Sequence, residues 1–220
     1  MAIERNVNQH MRFKNNFKSY LLVIGLGLVA GLLTTLMNLF PYDTLWSLSS
    51  IASAFGFWII TTTLVVYYSS SNINAAINVF LYFAIMNFIF YFSQGVLGLF
   101  LPKFHNVDHF INWGLLNKFN ALALGCAAVS FVLYYWNKNN TISNILYALP
   151  ICGLGAETIG VIFHLFKTHT YLFQLLMDLV GLVLLTCLFY KKTNNKSIFI
   201  TTAIGGSIIG PFLYYILFLL

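Results

Sequence analysis

The sequence predicts an all-α fold: a polytopic transmembrane bundle of about seven helices, N-terminus in and C-terminus out. Three observations carry this. The 220 residues are 60% hydrophobic and only 7% charged, against about 25% charged in an ordinary soluble domain, so no water-facing surface can be built from them. The apolar residues fall in seven runs, each near the ~20 residues that cross a bilayer as helix. The basic residues are divided unequally between alternate connecting segments.

Residues 1–18 form a basic cytoplasmic leader, with Arg5, Arg12, Lys14 and Lys18 against one acid, Glu4. Residues 19–220 form a single transmembrane helical domain. Its apolar runs are Tyr20 to Phe40, Trp46 to Tyr68, Ala75 to Leu101, Trp113 to Trp136, Ile145 to Phe166, Tyr171 to Tyr190 and Ile198 to Leu220. The first is too long for the apolar core of a signal peptide and no small-x-small site precedes Pro41, so it reads as a retained span. The third is the longest and is expected to tilt, kink near Gly95 or end in an interfacial turn. Between the runs stand Pro41 with Asp43, Ser69 to Asn74, Pro102 to Asn112, Asn137 to Asn140, Lys167 to Thr170 and Lys191 to Lys196, all rich in turn formers.

With the N-terminus inside, the cytoplasmic segments hold Arg5, Arg12, Lys14, Lys18, Lys138, Lys191, Lys192 and Lys196, and the outer ones only Lys103, Lys118 and Lys167. The net charge of +6 is therefore a topology signal and not a nucleic-acid surface. Trp46, Trp113, Trp136, Tyr67, Tyr68 and Tyr190 stand at span ends, where amphipathic rings prefer the headgroup level. Expected localisation is the plasma membrane, with the lipid bilayer as first partner. Cys126, Cys152 and Cys187 lie in apolar runs without metal or redox spacing and read as packing residues.

Small residues recur at i, i+4: Gly27 with Gly31, Ser49 with Ser53, Ala52 with Gly56, and Gly206 with Gly210. Such ridges let helices approach closely. The stretch Gly25 to Gly31 resembles a dinucleotide-binding glycine loop only in spacing, because no strand precedes it.

Two of the five acids, Glu157 and Asp178, fall inside the fifth and sixth runs. An ionised carboxylate at a helix centre costs on the order of 2.5–3.5 kcal/mol on insertion scales, so something must compensate. The two runs make a hairpin around Lys167 and Thr168, and each acid lies about ten residues from that turn, hence at similar depth. Pro150, Gly153, Glu157, Gly160 and His164 follow at steps of three or four, which predicts an interior face. Tyr171, Gln174, Asp178 and Gly181 form a second stripe, and Asn87, Tyr91, Gln94 and Gly98 a third. Two acids in one poorly solvated site share a proton, hold a cation or pair with a basic group. The alternative is structural, with both acids tying helices together through hydrogen bonds to Gln174, Asn87 or a carbonyl freed by Pro150. The expected binding set is Glu157, Asp178, Gln174, His164, Asn87 and Gln94.

A second cluster falls on the predicted outer surface. His105, Asp108, His109 and His169, with His164 and Asp43 nearby, offer metal-type ligands, and His105 and His109 have helical i, i+4 spacing. The plainer reading is a polar loop. No cofactor is expected. Both arginines lie in the leader, so none is available to clamp a phosphate or carboxylate, which argues against lipid phosphatases and anion carriers. Zincin, GxGD aspartyl-protease and GxSxG patterns are missing, and Thr61 to Thr63 have no basic neighbour to activate them, so the sequence leans away from an enzyme. An intramembrane hydrolase using the two acids would need a water path and a fixed substrate pose.

The runs WSLSSIASAFGFWIITTTLVVYYSSSN (Trp46 to Asn72) and YALPICGLGAETIGV (Tyr147 to Val161) resemble small multi-pass membrane proteins of AT-rich bacterial genomes. That family is uncharacterised, so the resemblance implies a membrane bundle and no activity or site residue. The substrate-binding subunits of energy-coupling-factor vitamin transporters are similar in size and in their small-residue first helix, but have six spans and both termini inside. The functional expectation is a small transporter, or a membrane solute- or ion-binding component, with a carboxylate site near the midplane for a proton, a cation or a small basic solute. The alternative is an accessory or immunity-type membrane protein that touches a membrane protein partner laterally through Gly27, Gly31, Gly206 and Gly210.

Overall fold

A computed structural model describes residues 13–104, 110–138 and 140–219, with side chains as far as residue 212. The fold is all-α, with no strand among the described residues. In chain order the helices are α1 (Phe17–Met37), α2 (Ser50–Ser53), α3 (Gly56–Tyr68), α4 (Asn72–Gly98), α5 (Trp113–Leu133), α6 (Thr141–Thr168), α7 (Leu172–Tyr190) and α8 (Lys196–Leu219). Short 3₁₀ turns cover Pro102–Phe104 and Tyr134–Lys138. Among the described residues, five stretches are long and apolar enough to cross a membrane: α1, α4, α5 with its following 3₁₀ turn, α6 and α7. The third run, expected to tilt, kink near Gly95 or end in an interfacial turn, is one helix from Asn72 to Gly98 followed by a 3₁₀ turn.

The polar breaks supply the caps. Ser71 accepts from the Asn74 N–H at the start of α4, Asn112 from Leu115 at α5, and Asn140 pairs reciprocally with Ser143 at α6. Each satisfies a backbone donor that the first helical turn leaves without an acceptor.

By its internal contacts the chain divides into two compact units. The first comprises Met1–Leu36 and Leu64–Tyr134. In it α1 lies against α4 through its glycines: a Cβ at Gly27 would stand 2.6 Å from the Tyr82 carbonyl oxygen, and one at Gly31 2.7 Å from that of Met86. Helix α4 packs on α5, and Tyr91, Ile111 and Leu116 form a core with Phe90 and Phe119 against it.

The second unit comprises Met37–Thr63 and Tyr135–Leu220. Helix α6 is its spine, with α8 along one side and α7 on another. The α6–α8 contact is a small-residue seam: a Cβ at Gly155 would enter the Ser207 side chain, one at Gly206 would enter Cys152, and one at Gly210 would stand 2.8 Å from the Ala156 Cβ. The Cys152 thiol, read from sequence as packing, donates to the Thr202 carbonyl across this seam. Trp136 is buried between Tyr147 and Phe189, with ring centroids 5.5 and 5.0 Å away. The glycines expected as a lateral interface, Gly27, Gly31, Gly206 and Gly210, are thus already occupied within the chain.

The second run departs from expectation. It was read as one span from Trp46 to Tyr68, but it begins as an irregular loop, makes one turn of helix at Ser50–Ser53, breaks at Ala54 and restarts at Gly56. Ala54 is extended, at φ −89° and ψ 153°. Ala52 and Gly56 therefore do not share a helical ridge. The reason is tertiary: the backbone at the break bonds to another helix.

Candidate functional site

The break occurs where a carboxylate is available. The Phe55 N–H donates to the Glu157 Oε1 at 2.6 Å, and the Gly56 N–H also faces that carboxylate. These amides open α3, where a helix leaves donors unsatisfied and carries partial positive charge. An acid projected from α6 satisfies them without a local cap. A broken helix of this kind is tolerated at membrane depth only where its backbone is covered by protein or lines a cavity.

Asp178 reaches Gly56 from α7. Its Oδ1 accepts from the Gln174 Nε2 at 2.7 Å, one turn earlier on the same helix face. Gly56 makes room for both: a Cβ there would fall inside the Asp178 carboxyl and 2.6 Å from the Gln174 Nε2. Asp178 and Gln174 are completely buried, Glu157 half-buried. The two carboxylates interact electrostatically.

Each group retains one oxygen with no hydrogen-bond partner: Glu157 Oε2, Asp178 Oδ2 and Gln174 Oε1. The Ser49 and Ser50 hydroxyls are also buried without a partner, on or beside α2, which packs against α7. Buried acceptors without donors are costly, and a cluster of them marks where a donor or cation is favourable.

The hairpin between α6 and α7 sets the acids' level. Both His169 and Tyr171 adopt left-handed backbone, φ 56° and 72°, and reverse the chain within three residues. The first amides of α7 are capped by the loop before α2, Leu172 N–H to the Leu45 carbonyl at 2.9 Å and Phe173 N–H to that of Trp46 at 3.3 Å. The loop that leads into the break is thereby tied to the helix carrying Asp178.

Of the residues expected at the site, the structure brings together Glu157, Asp178 and Gln174. His164 is exposed and sets its ring edge-on to Tyr171 at 4.7 Å. Asn87 and Gln94 belong to the first unit, where Asn87 donates to the Asn120 side chain at 3.1 Å. The stripe expected to be an interior face of α6 is not one: Pro150 is buried, but Gly153, Gly160 and His164 are exposed. The buried face runs instead through Ile151, Leu154, Thr158 and Val161, and Glu157 reaches the break from its edge. The α7 stripe is interior, with Gln174, Asp178 and Gly181 buried. His105, Asp108, His109 and residues 1–12 lie outside the described residues, and His169 is exposed at the end of α6. No group of three His, Cys, Asp or Glu side chains comes together among the described residues.

Sequence reasoning missed the Phe55 and Gly56 amides. Their only trace is a glycine following a serine-rich turn inside an apolar run.

No family model, no curated protein and no solved structure matches the chain.

Proposed function

We propose that this chain is a small multi-pass transporter or solute-binding component of the plasma membrane, N-terminus in and C-terminus out, that takes its ligand at the Glu157–Asp178 pair. The observation supporting this is the convergence of two carboxyls and a carboxamide on one helix break, each with a buried oxygen lacking a hydrogen-bond partner. A purely structural cluster would be expected to close its own hydrogen bonds, because half-satisfied buried polar networks are destabilising. Broken helices with termini directed at a midplane site are also a recurring device for binding and releasing charged ligands in membranes.

The test is reconstitution into vesicles and measurement of flux, with alkali chlorides, methylammonium and a pH gradient as probes. Wild type is expected to move or bind at least one probe, with the response lost in Glu157→Gln and Asp178→Asn variants that still elute as folded protein. Wild-type behaviour of both variants toward every probe would remove the site.

A further inference from the structure

We infer that the ligand at this pair is a singly charged cation held directly by oxygen atoms, either an alkali ion or the ammonium head of a small amine. The inference rests on the reading of the pair as a binding site and adds the charge class of what binds.

The first constraint is donor type. Every group at the break is an oxygen acceptor or a backbone or amide N–H, with no imidazole or thiolate among them. Transition metals favour nitrogen and sulfur, whereas an all-oxygen set suits hard cations and ammonium groups.

The second constraint is how many oxygens remain. Glu157 uses Oε1 on the Phe55 N–H, and Asp178 uses Oδ1 on the Gln174 amide. Each carboxylate thus has one oxygen already engaged by a donor and one without a partner. The free set at Gly56 is Glu157 Oε2, Asp178 Oδ2 and Gln174 Oε1, three single oxygens, with the unpartnered Ser49 and Ser50 hydroxyls on or beside α2, which packs against α7. Ca²⁺ takes about six to eight oxygens, commonly with a bidentate carboxylate, and Mg²⁺ demands octahedral geometry and sheds water reluctantly. The break provides neither. A singly charged ion is cheaper to strip of water, and three acceptors around one charge also match the three N–H bonds of a primary ammonium.

The third constraint is the fixed geometry. Gln174 is completely buried, and its amide end lies against the Asp178 carboxyl and the Gly56 backbone, so its free oxygen stays at the site. Gln174 is therefore assigned as a neutral ligand beside two acidic ones.

The experiment uses the full chain, purified in detergent and exchanged into a choline buffer free of alkali ions. Thermal stability is read on adding NaCl, KCl, methylammonium chloride, CaCl₂ or MgCl₂, with ionic strength balanced by choline chloride. Wild type is expected to be stabilised by at least one of the first three. Glu157→Gln and Gln174→Leu are each expected to weaken that response at least about ten-fold in apparent affinity, while Cys187→Ser retains it; circular dichroism and gel filtration confirm that all variants are folded. A response to NaCl or KCl identifies an alkali ion, and one to methylammonium alone an amine head. A response confined to CaCl₂ or MgCl₂, or pair-dependent proton flux without any salt response, overturns the assignment of an alkali ion or ammonium head and leaves the pair a binding site. Behaviour independent of the pair in every assay overturns both.

Discussion

The backbone N–H of Phe55 and the side chain of Glu157, 102 positions apart in sequence, meet in a 2.6 Å hydrogen bond. An amide that would otherwise point into an apolar run acquires a charged-type acceptor, and the second run breaks there instead of continuing as helix. Proline at this position removes the donor and the ring but suits the backbone, because Ala54 already has the extended conformation that precedes proline and proline suits a first helical turn. Phe55→Pro is expected to lose about 1–3 kcal/mol, the cost of leaving a buried acceptor unpaired, and to lose the ligand response. Phe55→Ala keeps the N–H and gives up an edge-to-face contact with Trp58 at 5.8 Å, so about 0.5–1.5 kcal/mol is expected without loss of binding. Equal effects of the two on binding would detach the amide from the site.

Gly56 and Gly160 make a second contrast. Alanine ordinarily stabilises a helix by roughly 0.5–1 kcal/mol over glycine. A Cβ at Gly160 meets nothing within 4 Å, and Gly160→Ala is expected to follow that rule. A Cβ at Gly56 collides with Asp178 and Gln174, so Gly56→Ala is expected to destabilise by about 1–3 kcal/mol as overpacking outweighs propensity. Melting curves of the two variants in one detergent decide it. A neutral or stabilising Gly56→Ala would mean that Asp178 does not lie where described.

The seam glycines yield a third expectation. Gly31→Val within the first unit and Gly206→Val within the second each drive a side chain into an occupied space, Met86 with Ile89 and Cys152 respectively. Each is expected to lower stability by about 1–3 kcal/mol or more, visible as early loss of the monodisperse peak on heating. Variants that stay fully stable but lose a co-purifying protein would return these glycines to the surface.

Much of this was legible in the sequence. Hydropathy located each apolar run, and α4, α6 and α7 begin within a few residues of Ala75, Ile145 and Tyr171, because Ser71, Asn140 and the His169–Tyr171 reversal are local signals. The pairing of Gln174 with Asp178 follows from helical spacing alone. What was hidden depends on contacts distant in sequence. Ala54 and Phe55 carry no breaker, and the glycine after the serine-rich turn is the one local trace that α3 starts at Gly56. Nor does spacing say that Glu157 lies at the edge of α6's buried face, since the glycines around it mimic an interior stripe. Asn87 has the right residue type for a polar site, but its partner is Asn120, 33 positions away in the first unit.

Asn144 supports a fourth prediction. Its Oδ1 accepts from the Asn194 and Asn195 N–H groups at 3.2 and 3.3 Å, holding the turn between α7 and α8 onto α6. Asn144→Leu leaves both donors, on exposed residues, without that acceptor and is expected to cost about 0.5–1.5 kcal/mol. Amide exchange should accelerate at residues 193–196 while residues 174–178 remain protected. Unchanged exchange at 193–196 would show that the turn needs no such anchor.

The interruption at Ala54 also bears on the order of biosynthesis. When residues 46–68 first enter the bilayer, the carboxylate that receives the Phe55 amide has not yet been translated, so the cheapest arrangement is an uninterrupted coil of intrasegment bonds. Unwinding becomes favourable only once Glu157 has been delivered. The ribosome-bound intermediate should accordingly protect position 54 from thiol reagents when cysteine is placed there, and lose that protection late, in a step that Glu157→Leu abolishes.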